Sequence, residues 1–318
     1  MDTILEVKNL TMAYETDEGY INAVDNVSFK IMKGETMGLV GESGCGKTSL
    51  GMCIMKLLPE NARITNGEII FDGEDIAPKT ENEMREIRWK GISMIFQAAM
   101  NALNPVFKVG DQIIESILAH EKMKKEEAKE KVRDLYKLVG LSPDRMENYP
   151  HEYSGGMRQR AIIAMALACD PKFIIADEPT TALDVIVQDE IIDEIVTIQK
   201  KLNMIMMYIS HDISVIAETC DKIGVMYAGN IIEYADTLAL FDNPLHPYTK
   251  ALMSSFPSIE GPRKELNPVP GEPPNLLSPP KGCRFYPRCS YAEAICEKER
   301  PDFIESEMDH FLECHMVT

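Results

Sequence analysis

Gly41-Glu42-Ser43-Gly44-Cys45-Gly46-Lys47-Thr48 is a complete G-x-x-x-x-G-K-[ST] run, and its flanks decide the fold. The apolar stretch 36–40 before it reads as a buried strand, and 48–58 after it reads as a helix. Glycines at a strand-to-helix junction let backbone N–H groups turn inward around phosphate oxygens. The start of the helix adds positive character at the same place. Lys47 can reach the outer phosphates of a nucleoside triphosphate, and the Thr48 hydroxyl can ligate Mg²⁺. Ser49 adjoins them, so the residues from Gly41 to Ser49 are the candidate nucleotide contacts.

A second element supplies the other half of such chemistry. The run 172–176 is a short apolar strand ending in Asp177-Glu178. Asp177 suits Mg²⁺, and Glu178 suits a general base that polarises an attacking water. Together the two motifs describe a P-loop NTPase. The remaining pattern agrees with an α/β chain. Segments 4–8 and 21–31 read as strands, 34–35 as a turn, and 67–71 with 92–96 as a further strand pair. From 110 to 140 the chain is helical and charged, with Glu and Lys spaced as i,i+4 pairs. Residues 155–168 and 184–202 read as helices and 204–209 as a strand; alternation of this kind predicts parallel pairing with helices on both faces.

Composition narrows the class. Apolar residues make up 45% and charged residues 26% of 318, the balance of a folded globular chain. No run approaches the ~20 apolar residues that span a bilayer, and the start Met1-Asp2-Thr3-Ile4 has no basic opening or apolar core. The expectation is a cytoplasmic protein that must dock on a spanning partner if it serves a membrane. A net charge of −18 argues against nucleic acid and anionic lipid as partners.

Tyr153-Ser154-Gly155-Gly156-Met157-Arg158-Gln159-Arg160 then identifies a family. Ser-Gly-Gly opening a helix is a second anion site, or simply a helix cap. In this series it resembles the signature of ABC ATPases, with Tyr and Met in place of the usual Leu and Gln. In that family Ser154, Gly155, Gly156 and Met157 would close in trans on the nucleotide of the opposite subunit. Other stretches are similar to further family motifs. Gln97 resembles the Q-loop glutamine, a Mg²⁺ or water contact. Ala182-Leu183-Asp184 resembles the D-loop, with Asp184 communicating across the dimer. His211 resembles the switch histidine. Tyr14 resembles the aromatic that stacks on adenine, with Tyr20 as the substitute.

The resemblance covers about 1–240 and implies a RecA-like α/β core, an antiparallel β subdomain and a helical subdomain over about 97–165. Residues 241–318 form a Pro- and Cys-rich extension that reads as linker-like and extended. Asn243-Pro244-Leu245-His246-Pro247-Tyr248-Thr249, Pro270-Gly271-Glu272-Pro273-Pro274 and Gly282-Cys283-Arg284-Phe285-Tyr286-Pro287-Arg288-Cys289 look like the C-terminal extension of dipeptide and oligopeptide importer ATPases, a group that includes nickel importers. The loop Asn101-Ala102-Leu103-Asn104-Pro105 fits the same group.

Four of the eight cysteines, Cys283, Cys289, Cys296 and Cys314, crowd this extension. Four thiolates suit a [4Fe–4S] cluster or tetrahedral Zn²⁺. The wide, unequal spacing favours the cluster, as a structural pin, over zinc or no metal.

The resemblance thus implies an ATP- and Mg²⁺-dependent ATPase at the cytoplasmic face of the membrane. Its implied partners are two integral permeases, a second homologous ATPase or a head-to-tail copy of itself, and an extracellular substrate-binding protein. The rival readings are a nickel importer ATPase, a soluble non-transport ABC ATPase, and a scaffold in which nucleotide only regulates assembly.

Overall fold

The computed structural model describes residues 2–97, 102–181, 183–255 and 269–316. In chain order its strands and helices are β1 (Thr3–Thr16), β2 (Gly19–Met32), β3 (Met37–Val40), α1 (Lys47–Met55), β4 (Ala62–Phe71), β5 (Glu74–Asp75), α2 (Glu81–Ile87), β6 (Ile92–Ile95), α3 (Val109–His120), α4 (Lys125–Leu138) and α5 (Gly155–Ala166). They continue with β7 (Phe173–Asp177), α6 (Val185–Leu202), β8 (Ile205–Ile209), α7 (Ile213–Thr219), β9 (Lys222–Tyr227), β10 (Asn230–Asp236), α8 (Thr237–Asp242), α9 (Pro247–Ser254), α10 (Ala294–Lys298), β11 (Phe303–Glu307) and β12 (His310–Glu313). The chain divides into two compact units, 1–77 with 209–318, and 78–208.

In the first unit, β1 and β2 form a long antiparallel hairpin, and β4 pairs with the other edge of β1. Their inward side chains, among them Leu5, Val7, Leu10 and Met12, are buried. The polar residues between them face out, the alternation of a half-covered sheet. A second sheet carries the nucleotide loop. Its β3 is buried along its whole length and lies parallel to β9, from Met37 opposite Lys222 to Val40 opposite Val225. The Thr36 N–H and hydroxyl both donate to the Asp221 carboxylate, at 2.8 and 2.7 Å, which locks the entrances of these two strands together. β10 returns antiparallel to β9, and β12 pairs antiparallel with β10. The extension is therefore part of a sheet, a difference from the linker-like reading of its prolines.

In the second unit, β6 and β7 are parallel, from Ile92 opposite Phe173 to Ile95 opposite Ala176, and both are buried throughout. Such strands are covered on both faces and read as unbroken apolar runs. The expected pairing of 67–71 with 92–96 does not occur, since β4 pairs with β1 and β5 while β6 pairs with β7. α2 begins with a capping box, in which Thr80 and Glu83 satisfy each other's backbone N–H groups. No helix among the described residues is long and apolar enough to cross a membrane.

Candidate nucleotide site

The phosphate loop joins β3 to α1 in the first unit. Its geometry depends on residues without side chains. A Cβ on Gly46, which has φ +109, would stand 2.1 Å from the carbonyl oxygen of Ala23. At Gly44, φ +79, nothing lies within 4 Å of the same position, so the backbone there is bare to an incoming phosphate. Gly41 closes the end of β3, and Cys45 is buried behind the loop, where burial raises its thiol pKa. Ser43 and Thr48 are exposed, and Ser49 is half-buried. α1 starts at Lys47, so the first N–H groups of the helix have no partner within it. The Lys47 ammonium donates to the carbonyls of Gly41 at 2.7 Å and Glu42 at 3.0 Å, folded back over the cradle. These features fit a triphosphate: a ring of donors and one buried cation.

Tyr14 lies on β1 with its hydroxyl 3.2 Å from Ser49 Oγ, beside the first turn of α1. Tyr20 is half exposed, with the Arg63 guanidinium 5.1 Å above its ring. Tyr14 is thus the aromatic that the fold brings to the loop. His211 is exposed after β8. Its neighbour Ser210 donates its N–H to Leu39 of β3 at 3.2 Å, and the Ser210 hydroxyl accepts from the Asp212 N–H at 2.9 Å. These bonds fix the turn that carries His211 near the end of β3.

In the second unit, β7 ends at Asp177, which is 1% exposed, and runs into Glu178. Glu178 has φ +46, an uncommon conformation for a residue with a side chain. It places its carboxylate where Gln97 Nε2 donates at 2.8 Å and the Thr181 hydroxyl donates at 2.9 Å. The structure therefore brings Gln97 and Glu178 together, although they lie 81 positions apart. Gln97 turns its nitrogen to Glu178, so its amide oxygen is the atom available to a cation. Within the second unit, the Gln97 amide oxygen and the Asp177 carboxylate are hard donors of the kind Mg²⁺ takes, and in the first unit the exposed Thr48 hydroxyl is another.

Ser154 caps α5, its hydroxyl accepting from the Met157 N–H at 3.3 Å, with Gly155 and Gly156 as the first helical residues. Asp184 caps α6 in the same way, accepting from the Val187 N–H at 3.1 Å. A Cβ on Gly156 would stand 2.9 Å from Val187 Cγ1, so the two capped helix starts pack closely. Tyr153 is buried; its hydroxyl donates to the Arg145 carbonyl at 2.6 Å and lies 2.9 Å from that of Tyr136. Ala182 and Asn101 lie outside the described residues.

Residues 24–181 match the family described as ABC transporter, and residues 232–296 match the family described as oligopeptide/dipeptide transporter, C-terminal region. A near-full-length relative decides the matter: the dipeptide transport ATP-binding protein DppD of Bacillus subtilis is 45% identical over 318 residues, 99% of this chain and 95% of its own. The chain belongs to the ABC transporter family. The oligopeptide transport ATP-binding protein OppD of Escherichia coli is 44% identical over 302 residues, covering 94% of this chain and 89% of its own. Among solved structures, the bacterial ABC transporter cassette MJ0796, a dimer, matches with a TM-score of 0.65 at 28% identity, over 73% of this chain and 98% of that one. As an ABC ATPase the chain has the α/β P-loop core expected from its motifs, and it hydrolyses ATP.

One expectation for this ABC ATPase fails. Among the described residues, which include Cys283, Cys289, Cys296 and Cys314, no group of three or more His, Cys, Asp or Glu could hold a metal ion. That removes both the [4Fe–4S] cluster and the zinc alternative. Burial pushes the Cys283 thiol up to about 12. The metal reading rested on the number and spacing of the cysteines and on the likeness of the tail to its subfamily, and none of these says where side chains point. Arginines anchor the extension instead. Arg284 donates to the Asp25 carboxylate and the Ala228 carbonyl. Arg300 donates to Glu313 and to Asp25, each at 3.1 Å. Sequence reasoning missed these residues. Their signal was a set of arginines held in an otherwise acidic chain.

Proposed function

We propose that this ATPase powers the uptake of dipeptides or oligopeptides, seated peripherally at the cytoplasmic face of the membrane on two permease subunits. What carries the reading is the match of 232–296 to the C-terminal region of oligopeptide/dipeptide transporters, beside near-full-length likeness to DppD and OppD. A second homologous ATPase, or a second copy of this chain, completes the assembly. An extracellular binding protein delivers the substrate.

Each residue then has a task. The unpaired inward N–H groups of the 41–48 loop and the Lys47 ammonium hold the phosphates, and Tyr14 stacks on the base. Glu178, steadied by Gln97 and Thr181, accepts a proton from the attacking water. His211 contacts the terminal phosphate. Ser154, Gly155, Gly156 and Met157 meet the nucleotide of the opposite subunit, and Asp184 carries the signal between subunits. Thr48, Gln97 and Asp177 would hold Mg²⁺, which would supply charge neutralisation at the phosphate oxygens. Val185 and Ile186, 72% and 73% exposed at the start of α6, are apolar groups that favour association.

The test replaces the chromosomal gene with the Glu178→Gln allele and measures uptake of labelled dipeptide, labelled oligopeptide and nickel. Loss of peptide uptake with nickel unchanged is expected. Loss of nickel uptake alone overturns the peptide assignment.

A further inference from the structure

Two motifs of the extension remain without chemistry: the stretch through His246-Pro247-Tyr248, and Arg284-Phe285-Tyr286-Pro287-Arg288. Both converge on the phosphate loop. Glu42, its second residue, is held at two points. Its backbone N–H donates to the Tyr248 hydroxyl at 3.0 Å. Its carboxylate accepts a two-pronged bond from Arg288, at 2.7 and 2.9 Å. The Arg288 side chain is only 4% exposed. Its Nε donates to the Pro270 carbonyl at 2.6 Å, and its guanidinium lies 5.7 Å from the Tyr227 ring centroid.

A third tie runs through the turn between β9 and β10. Arg284 grips the Ala228 carbonyl, and the next residue, Gly229, donates its N–H to the Cys45 carbonyl at 2.8 Å. Aromatic packing stiffens this support, with Tyr248 4.7 Å from Tyr227 and 5.4 Å from Phe285 between ring centroids. Pro273 and Pro274 share the wall of a cavity of about 30 Å³ with Glu42, Ser43 and Gly44. The extension therefore touches the loop through a carboxylate, an N–H and, by way of the turn, a carbonyl.

The electrostatics give this contact a purpose. A carboxylate in a loop built to hold a triphosphate repels its own ligand. Arg288 cancels that charge and, by its fork, fixes the direction of Glu42. Lys47 rests on the carbonyls of Gly41 and Glu42, so the orientation of Glu42 is also the orientation of the loop's own cation site. A glycine-rich loop held in its binding shape loses less freedom when ligand arrives.

We propose that Arg288 is a positioning residue of the nucleotide site: with Tyr248 it holds Glu42 and neutralises it, so that the C-terminal extension sets the affinity for ATP. This rests on the reading of the chain as an ATP-hydrolysing subunit. In Arg288→Met, Glu42 keeps its charge without its partner, and the Kd for ATP rises roughly tenfold. The increase is larger at low salt, where charge repulsion is less screened. Adding Glu42→Gln to Arg288→Met removes the stranded anion and returns the Kd to within about threefold of wild type. Arg288→Lys keeps the charge, loses the fork and falls between the two.

The measurement is titration of the full-length chain and its variants with a fluorescent ATP analogue at low and high salt, alongside thermal unfolding. A wild-type chain that does not bind the analogue defeats the ATPase reading itself. A wild-type chain that binds it, with Arg288→Met or Arg288→Lys binding equally well, defeats the proposal alone. Weakened binding in Arg288→Met that Glu42→Gln does not rescue also defeats it, because the defect then arises from lost packing. Should Arg288→Met fail to fold, Arg288→Lys and the double variant decide the matter by the same criteria.

Discussion

Replacing Gly46 by alanine asks whether the phosphate loop is held in shape by the protein. The added methyl meets two costs. The backbone stands at φ +109, where an L side chain is strained by roughly 1–2 kcal/mol. The methyl would also lie 2.1 Å from the Ala23 carbonyl oxygen, and that neighbour is backbone of β2, which cannot rotate aside. Forced overpacking of this kind costs roughly 1–3 kcal/mol. The total is roughly 2–5 kcal/mol, a large share of the ~5–15 kcal/mol that holds a folded protein together. Gly44 provides the control. It stands at φ +79 with nothing within 4 Å, so Gly44→Ala bears only the first cost. Urea unfolding of both variants, with ATP titration of the folded material, measures the difference. If the loop swings away to relieve the clash in Gly46→Ala, stability is spared and ATP affinity falls instead. Gly46→Ala with both wild-type stability and wild-type affinity refutes the reasoning, and so does a Gly44→Ala that is equally damaged in stability.

Two further outcomes follow from buried groups. Tyr153→Phe removes the hydroxyl bonded to the Arg145 carbonyl and set against Tyr136; the expected loss is roughly 1–3 kcal/mol in urea unfolding, and an unchanged midpoint contradicts it. Burial lowers the His246 imidazole from 6.5 to about 4. The unfolded chain therefore takes up a proton in that window that the folded chain refuses, and stability falls as pH drops from about 6.5 to about 4. Between about pH 7 and about pH 5 this group accounts for roughly 2 kcal/mol. His246→Asn, which can still accept from the Tyr248 N–H, narrows the difference in stability between those two pH values by that amount; an unchanged difference counts against it.

The parts of this molecule legible in its sequence are local. Gly41 to Thr48 declares itself because its glycines, lysine and threonine stand at the spacing of a phosphate loop, and β7 because four apolar residues precede two acids. The caps at Ser154 and Asp184 are likewise local events, each closing on a backbone N–H three positions ahead. Distant pairings were opaque. Nothing in residues 67–71 says that β4 joins β1 while β6 joins β7, because alternation specifies a face and not a partner. Prolines hid the pairing of β12 with β10. The cysteine spacing suggested a metal, whereas the arginines one to four residues from the nearest cysteine form the anchors. Arg288 and Glu42 lie 246 positions apart, and only the folded chain sets them side by side.

In the proposed mechanism Glu178 is the base on which hydrolysis turns, and its removal is the most direct trial. Glu178→Gln keeps the size of the side chain and loses the base, which general-base catalysis values at roughly 10²–10⁴ in rate. Steady-state ATP hydrolysis by the chain, assembled with its permeases and any partner ATPase, is measured beside ATP affinity, with Glu178→Gln in every copy of this subunit. The predicted result is loss of this subunit's turnover by at least ~100-fold with the Kd for ATP unchanged. Hydrolysis at the wild-type rate in a chain that binds ATP normally would contradict the account.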